Sequence, residues 1–350
     1  MTPARAQGGD MHPAKLWKPL AGGKVQCRLC SHYCVLADGG RGQCGVRVND
    51  GGALFTLVAD RVAALAVDPV EKKPLFHFRP GTTTLSLATM GCTMSCTFCQ
   101  NFSLSQPPRA GEPVQGRPAD PAALVRAARD HGCASLSYTY SEPTVFFELV
   151  QATAELTRAQ GLDNILVSNG FMSPECLEAL GPLVQAANID LKAFSEEFYR
   201  EICGARLAPV LDTLRRIKAL GWWLEVTTLV IPGLNDSDAE LAAMAGFIAT
   251  ELGPDVPWHV SRFHPDHRLR GVPATPLATL ERAWRLGHEA GLRFVYPGNV
   301  PGHDAESTRC PGCGAVLLRR AGFAVQDNVL SHGPARGHCP ECGLPVAGVW

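Results

Sequence analysis

A chain of 350 residues with a formal net charge of −1 and 46% hydrophobic residues holds enough apolar mass for one large α/β core with small appendages. The near-neutral balance excludes bulk electrostatic attraction to nucleic acid or a membrane surface. No run of about 18 apolar residues is present to span a bilayer.

Residues 1–14, opening Met1-Thr2-Pro3-Ala4-Arg5, lack an apolar signal core and read as a disordered leader. Without an export signal, the 14 cysteines read as metal ligands in a reducing cytoplasm rather than as disulfides. Residues 15–80 form a small N-terminal module and linker. Its Cys27, Cys30, Cys34 and Cys44 are spaced C-x2-C-x3-C-x9-C. That spacing leaves zinc and a second iron–sulfur cluster both open, with His32 an alternative ligand.

Residues 81–303 alternate strand-like and helix-like patterns. Strands are predicted at 84–89, 134–139, 164–167, 187–191, 222–230, 258–263 and 292–296. Between them, helices are predicted at 121–131, 145–160, 174–180, 208–220, 239–251 and 277–290. Such alternation indicates a parallel sheet. Seven strands and six helices point to a partial (β/α) TIM-like barrel rather than a closed eightfold one. The Pro/Gly-rich stretch 106–118 reads as a loop. Residues 304–350 carry Cys310-Pro311-Gly312-Cys313 and, 25 residues later, Cys339-Pro340-Glu341-Cys342. Two such knuckles make a zinc-ribbon-like module, with iron bound by the same thiolates as the competing reading. Lying beyond the last barrel strand, it reads as separable from the chemistry of the barrel.

The most informative segment is Met90-Gly91-Cys92-Thr93-Met94-Ser95-Cys96-Thr97-Phe98-Cys99, placed directly after the first barrel strand. Loops at that end of a β/α barrel build active sites. Cys92, Cys96 and Cys99 at C-x3-C-x2-C can hold three irons of a [4Fe-4S] cluster. Electron-transfer clusters take four cysteines, so the remaining iron stays open to a substrate or cofactor. Farther on, Asp190 and Lys192 share one face of a strand, because strand side chains alternate. They either face a charged cofactor or form a buried structural ion pair. Glu225 and Thr227 share a face of the next strand.

These residues resemble the radical S-adenosylmethionine (SAM) superfamily, in its pyruvate formate-lyase-activating-like branch. They are most similar to the AmmeMemoRadiSam system radical SAM enzymes. The strings carrying the resemblance are Cys27 to Cys34, Asp68-Pro69-Val70-Glu71-Lys72-Lys73-Pro74-Leu75-Phe76-His77-Phe78 and Gly91 to Asn101. They continue through Tyr138 to Pro143, Asn188 to Phe194 and Pro297 to Gly302. The resemblance implies a cluster that binds SAM, cleaves it to a 5′-deoxyadenosyl radical and so abstracts a hydrogen atom from a substrate. It implies a one-electron donor such as flavodoxin or ferredoxin, and Memo-like and AMMECR-like partner proteins.

The resemblance also assigns SAM contacts. Glu142, in Tyr140-Ser141-Glu142 where relatives carry Gly-Gly-Glu, would hold the methionine ammonium, and Ser168 and Asn169 would lie near SAM. Asp190 and Lys192 would contact it, Thr227 and Ile231 would pack on its ribose and adenine, and His264 would touch the ribose. His264 also reads as a surface-loop histidine. Cys203 reads as an inert buried thiol or a hydrogen-atom donor. Two alternative functions stay open: activation of a glycyl radical enzyme, and RNA modification through Arg309, Arg319, Arg320 and Arg336. Four arginines without interleaved aromatics argue weakly for RNA.

Overall fold

The structure, a computed structural model, describes residues 11–300, 302, 304–331 and 336–350. At its centre is an open eight-stranded sheet: β1 (Ala64–Pro69), β2 (Thr83–Ala88), β3 (Ser135–Tyr138), β4 (Asp163–Ser168), β5 (Ala186–Asp190), β6 (Trp223–Val230), β7 (Trp258–Arg262) and β8 (Val295–Gly298). Strands lie side by side in chain order, so each βα unit packs next to the one before it. β2 to β8 are mutually parallel. β1 was not expected from the sequence and runs antiparallel to β2, pairing Ala64 with Ala88 and Pro69 with Thr83. β1 and β8 remain separate edges, so the sheet does not close.

The helices covering the sheet are α1 (Pro121–Asp130), α2 (Phe147–Ala159), α3 (Pro174–Leu180), α4 (Leu207–Leu220), α5 (Asp238–Phe247) and α6 (Leu277–Glu289). Their starts follow from local chemistry. The side chains of Asp120, Ser173 and Ser237 accept from the N–H groups of Ala123, Cys176 and Glu240, satisfying donors that a helix start leaves unpaired. Proline follows the cap at Pro121 and Pro174, where its fixed φ suits the first helical position. The apolar faces bury against strands that are themselves almost wholly buried, among them Leu136, Leu166, Ile189, Val226 and Val260, as expected for a sheet covered by crossover helices.

Before β1 lie two small three-stranded sheets. One joins Trp17–Pro19, Val25–Cys27 and Val35–Leu36; the other joins His12–Pro13, Ala53–Thr56 and Arg47–Asp50. Residues 1–10 of the expected leader lie outside the described residues. His12–Pro13 is an ordered strand rather than leader, because it pairs with Phe55 and Thr56. Arg47 latches this module to the barrel: it is buried and donates to both carboxylate oxygens of Glu148 on α2, at 2.9 and 2.8 Å.

The C-terminal residues form a three-stranded antiparallel sheet, Thr308–Arg309, Val316–Ala321 and Ala324–Asn328. This part packs against the barrel rather than standing apart from it. Phe78 bridges to Val349, and Phe76, Phe294, Tyr296, Leu318 and Trp350 share one apolar cluster. Arg320, counted in the sequence among arginines available to RNA, is wholly buried. It stacks 4.0 Å over the Phe76 ring and donates to the Phe76 carbonyl at 2.6 Å. Local cysteine spacing cannot reveal such docking, because it is made between residues more than 200 positions apart. Among the described residues, no helix is long and apolar enough to cross a membrane.

Candidate active site

The C-terminal ends of the parallel strands converge on a cavity of about 570 Å³. The loop after β2 supplies Cys92, Cys96, Phe98 and Cys99; the turn after β3 supplies Tyr140, Ser141 and Glu142. Ser168 and Asn169 come from the end of β4, and Asp190 and Lys192 from the end of β5. β6 and β7 add Thr227, Leu229 and Ser261, and Asn299 follows β8. Parallel strands place all their C-terminal loops on one rim, so residues more than 200 positions apart in the chain meet there.

The three cysteines are unpaired thiols on a tightly held loop. Ser95 N donates to the Cys203 carbonyl at 2.8 Å, and Thr97 N to that of Ile202 at 3.0 Å. Gly204 closes this contact: at φ 65°, a Cβ there would collide with the Ser95 hydroxyl. Met94 N lies 3.4 Å from Cys92 Sγ, and the Asn169 side-chain amide 3.6 Å from it; the Ser105 hydroxyl lies 3.2 Å from Cys99 Sγ. Burial pushes the Cys92 and Cys99 thiols up, and hydrogen bonding with the Cys203 thiol does the same at Cys96. Metal coordination is what deprotonates thiols so placed. Three free sulfurs with donors turned toward them, and no fourth cysteine on the cavity wall, suit a four-iron cluster with one open iron.

Glu142 is buried and saturated. It accepts from Thr144 N (3.1 Å), Thr144 Oγ1 (2.6 Å), Ser168 Oγ (2.8 Å) and Asn169 N (2.9 Å). Burial raises its pKa against the pull of these donors. One carboxylate thus ties the turns after β3 and β4 together at the rim. Beside it the Ser141 hydroxyl is buried without a hydrogen-bond partner and lines the cavity, a polar atom left for something bound there. Lys192 Nζ donates to Asp190 Oδ2 at 2.9 Å and sits 5.7 Å from the centre of the Phe98 ring. Burial opposes its charge, but the Asp190 carboxylate beside it outweighs burial and keeps the ammonium strongly favoured.

Two of the sequence-predicted SAM contacts fall elsewhere. Ile231 is buried behind the wall, its N–H held by Asn235 Oδ1 at 2.6 Å, and does not line the cavity. His264 is exposed on the loop after β7, outside the lining. Cys203 is buried behind Cys96 and does not open onto the cavity. Glu225 and Thr227 share their face as expected but part by depth. Thr227 lines the cavity, whereas Glu225, two residues earlier on β6, accepts from Phe76 N, His77 N, Trp223 Nε1 and His259 Nε2 at 2.6–2.9 Å.

Sequence reasoning missed the cavity floor. Lys72 and Lys73, just beyond β1, line it together with Tyr140. Asp68 accepts from Lys72 Nζ (2.8 Å), Lys73 Nζ (2.7 Å) and the Tyr140 hydroxyl. Tyr140 reaches down because its backbone adopts φ 62°, a conformation rare outside glycine. The signal was the charge cluster Asp68, Glu71, Lys72 and Lys73 between apolar neighbours. Burial alone would raise the Asp68 carboxyl, but its three donors overcome it and hold it well below the usual carboxylate range. Burial lowers Lys73 to about 8. A depressed carboxyl adds stability that is present above the ordinary carboxylate pKa and is lost as pH falls through the lowered value. Asp68→Asn is therefore expected to lower the midpoint of urea unfolding at neutral pH and to flatten the acid limb of the stability–pH curve. An unchanged acid limb would remove Asp68 from that role.

In the C-terminal module the four sulfurs of Cys310, Cys313, Cys339 and Cys342 lie within 4.8 Å of one another. The Cys310–Cys342 and Cys313–Cys339 separations are 3.5 and 3.6 Å. Sulfurs at about 2.3 Å around one tetrahedral ion sit about 3.7 Å apart. Backbone N–H groups, chiefly that of Cys342, pull the Cys339 thiol down to about 7.

Three comparisons bear on this geometry. The family model described as the Radical SAM superfamily matches residues 87–245, from the end of β2 into α5. An uncharacterized protein of Methanocaldococcus jannaschii is 42% identical over 336 residues, covering 96% of this chain and 99% of that protein. The benzylsuccinate synthase activating enzyme of Thauera aromatica is 27% identical over 108 residues, covering 31% of this chain and 33% of that enzyme. Among solved structures, Streptococcus suis SuiB bound to S-adenosylmethionine aligns over 66% of this chain and 53% of that one, with 16% identity and a TM-score of 0.49.

Proposed function

The chain belongs to the radical SAM superfamily, and on that premise we propose that it cleaves SAM in the cavity at the strand ends and abstracts a hydrogen atom from a substrate bound there. The observation that carries this reading is that three free thiols, a carboxylate tied to two strand ends and an Asp190–Lys192 pair open onto one cavity. When bound, the [4Fe-4S] cluster supplies the electron that breaks the sulfonium, yielding methionine and the 5′-deoxyadenosyl radical.

The chain's own residues do the rest. Cys92, Cys96 and Cys99 hold the cluster, and Glu142 fixes the turns of Ser168 and Asn169 beside it. The Ser141 hydroxyl, Asp190 and Thr227 offer acceptors for SAM's ammonium and ribose hydroxyls, and Lys192 offers a donor for its carboxylate. Phe98 and Leu229 keep water from the reacting carbon. Cys310, Cys313, Cys339 and Cys342 hold zinc, which has no redox chemistry and, with four thiolates, no open position.

The strings shared with AmmeMemoRadiSam enzymes favour a protein system that includes Memo-like and AMMECR-like partners, with a flavodoxin or ferredoxin as electron donor. A second reading, activation of a glycyl radical enzyme, is favoured by the partial match to the benzylsuccinate synthase activating enzyme. Anaerobic reconstitution and assay of 5′-deoxyadenosine with each partner class separates the two readings. Product stimulated only by a glycyl radical enzyme would select the second.

Asp190→Ala is expected to leave iron content intact and weaken SAM binding. A hydrogen bond to a charged group contributes about 1.5–3 kcal/mol, or roughly a 10- to 100-fold change in Kd. Equilibrium SAM titration beside a melting curve checks this. Unchanged affinity with a collapsed melting temperature would make the pair structural.

A further inference from the structure

We propose that Cys27, Cys30, Cys34 and Cys44 bind a second iron–sulfur cluster, and that electrons enter the active-site cluster through it. The fold assembles the four cysteines. Val25–Cys27 pairs with Val35–Leu36, and Cys27 N donates to the Cys34 carbonyl at 2.9 Å, so two ligands face each other across a hairpin. Cys30 lies in the turn between, where Tyr33 at φ 48° returns its N–H to the Cys30 carbonyl. Cys44 arrives on the following loop, held where Gly42 N donates to the Arg47 carbonyl at 2.8 Å. All four are free thiols.

Their spread selects the ligand. Among the described residues, only the C-terminal four bring three or more sulfurs within 4.8 Å of one another. The N-terminal four do not, and neither do Cys92, Cys96 and Cys99. Sulfurs that share one ion must crowd together. Sulfurs that each bind a different iron of a cluster stand farther apart. The N-terminal group therefore lacks the crowding that a single shared ion requires, and its open spread suits a ligand with several irons. His32 Nε2 is engaged elsewhere, 2.8 Å from the Thr93 carbonyl.

That histidine contact also shows what the group does. From Cys30 the path runs through Ser31 and His32, across one hydrogen bond to Thr93, and on to Cys92. The loops are pressed together: a Cβ on Gly91 would lie 2.9 Å from Val46 Cγ1 and 3.2 Å from the Cys44 carbonyl. None of the four cysteines lines the substrate cavity, so this site does not handle substrate. Val35, Arg41 and Gln43, next to Cys34 and Cys44, are exposed, which opens this side to a donor protein. One electron from a flavodoxin or ferredoxin converts the outer cluster to its reduced form. That electron then passes inward, reoxidising the outer cluster and reducing the inner one by one electron, and no atom moves.

The relay rests on the radical SAM reading above; the iron site does not. Wild-type protein and a Cys92→Ala/Cys96→Ala/Cys99→Ala variant are reconstituted anaerobically with iron and sulfide, and metals and electron paramagnetic resonance are measured. The triple variant is expected to keep about half the wild-type iron and, after dithionite, a cluster signal that SAM does not alter. Zinc or no metal in a folded triple variant would overturn the site. Cys30→Ser is expected to lose the other half and keep the SAM-responsive signal. Reduced wild-type protein should relax faster than either variant, because two neighbouring spins couple. A wild-type spectrum equal to the sum of the two variants' spectra would overturn the relay. Iron retained by the triple variant alongside a SAM-insensitive wild type would instead sink the radical SAM reading and leave the second site standing.

Discussion

Cys96→Ala is expected to reduce 5′-deoxyadenosine formation under dithionite to background and to strip the iron held at the cavity. In the proposed cluster each thiolate of the C-x3-C-x2-C loop holds a different iron, and no other cysteine lines the cavity to replace one that is lost. The superfamily's chemistry belongs to the cluster and SAM, while the protein binds and orients them. Removing one ligand therefore removes the reaction rather than slowing it. The loop's fold should survive, because Ser95 and Thr97 hold it through backbone bonds to Cys203 and Ile202. Cys133→Ala, in a core position away from the cavity, is the control that should keep both iron and product. Wild-type product formation by Cys96→Ala would refute the assignment of this loop.

Arg320→Met is expected to destabilise the protein by about 3–5 kcal/mol, the usual cost of stripping one partner from a buried pair. The guanidinium is fully enclosed. It donates to the Thr308 hydroxyl at 2.8 Å, the Glu306 carbonyl at 3.3 Å and the Phe76 carbonyl at 2.6 Å, and its Nε lies 3.9 Å from Glu71 Oε1. Without it, Glu71 keeps the Gly81 N–H at 2.9 Å but has no cation, and its Oε2 already lacks a hydrogen-bond partner. Burial raises the Glu71 pKa even in the wild type. A carboxyl whose folded pKa is raised is penalised above that pKa, and the penalty is relieved as pH falls through it. The deficit of Arg320→Met should therefore shrink toward acid pH, and Glu71→Gln should recover part of it. Urea unfolding of the metal-loaded protein at several pH values measures both. A deficit independent of pH would mean that lost packing on Phe76, not the stranded carboxylate, sets the cost. The same contacts predict that truncation before Cys310 damages the barrel as well as removing a metal.

What the sequence determined by itself is local. Alternating strand and helix patterns fixed seven parallel strands and six helices close to their observed bounds, because side-chain period and capping residues are properties of short segments. Cysteine spacing picked out three groups, of which the C-terminal four are brought within 4.8 Å of one another, and strand alternation put Asp190 and Lys192 on one wall. Tertiary structure decided whatever depends on which distant segments meet. Lys72 and Lys73 reach the cavity floor because β1 pairs backwards on β2, which no periodicity announces. Alternation gave Glu225 and Thr227 the same face, but only the position along β6 brings one to the cavity and the other to the turn at Phe76. Ile231 and His264 lie next to strand ends in sequence, yet packing turns one behind the wall and leaves the other in solvent. Arg320 looked like a surface charge until Glu71 and Phe76 from one connection and Tyr296 from β8 closed around it. Covalent spacing constrains neighbours along the chain; burial, pairing and depth arise only when the sheet brings its strand ends together.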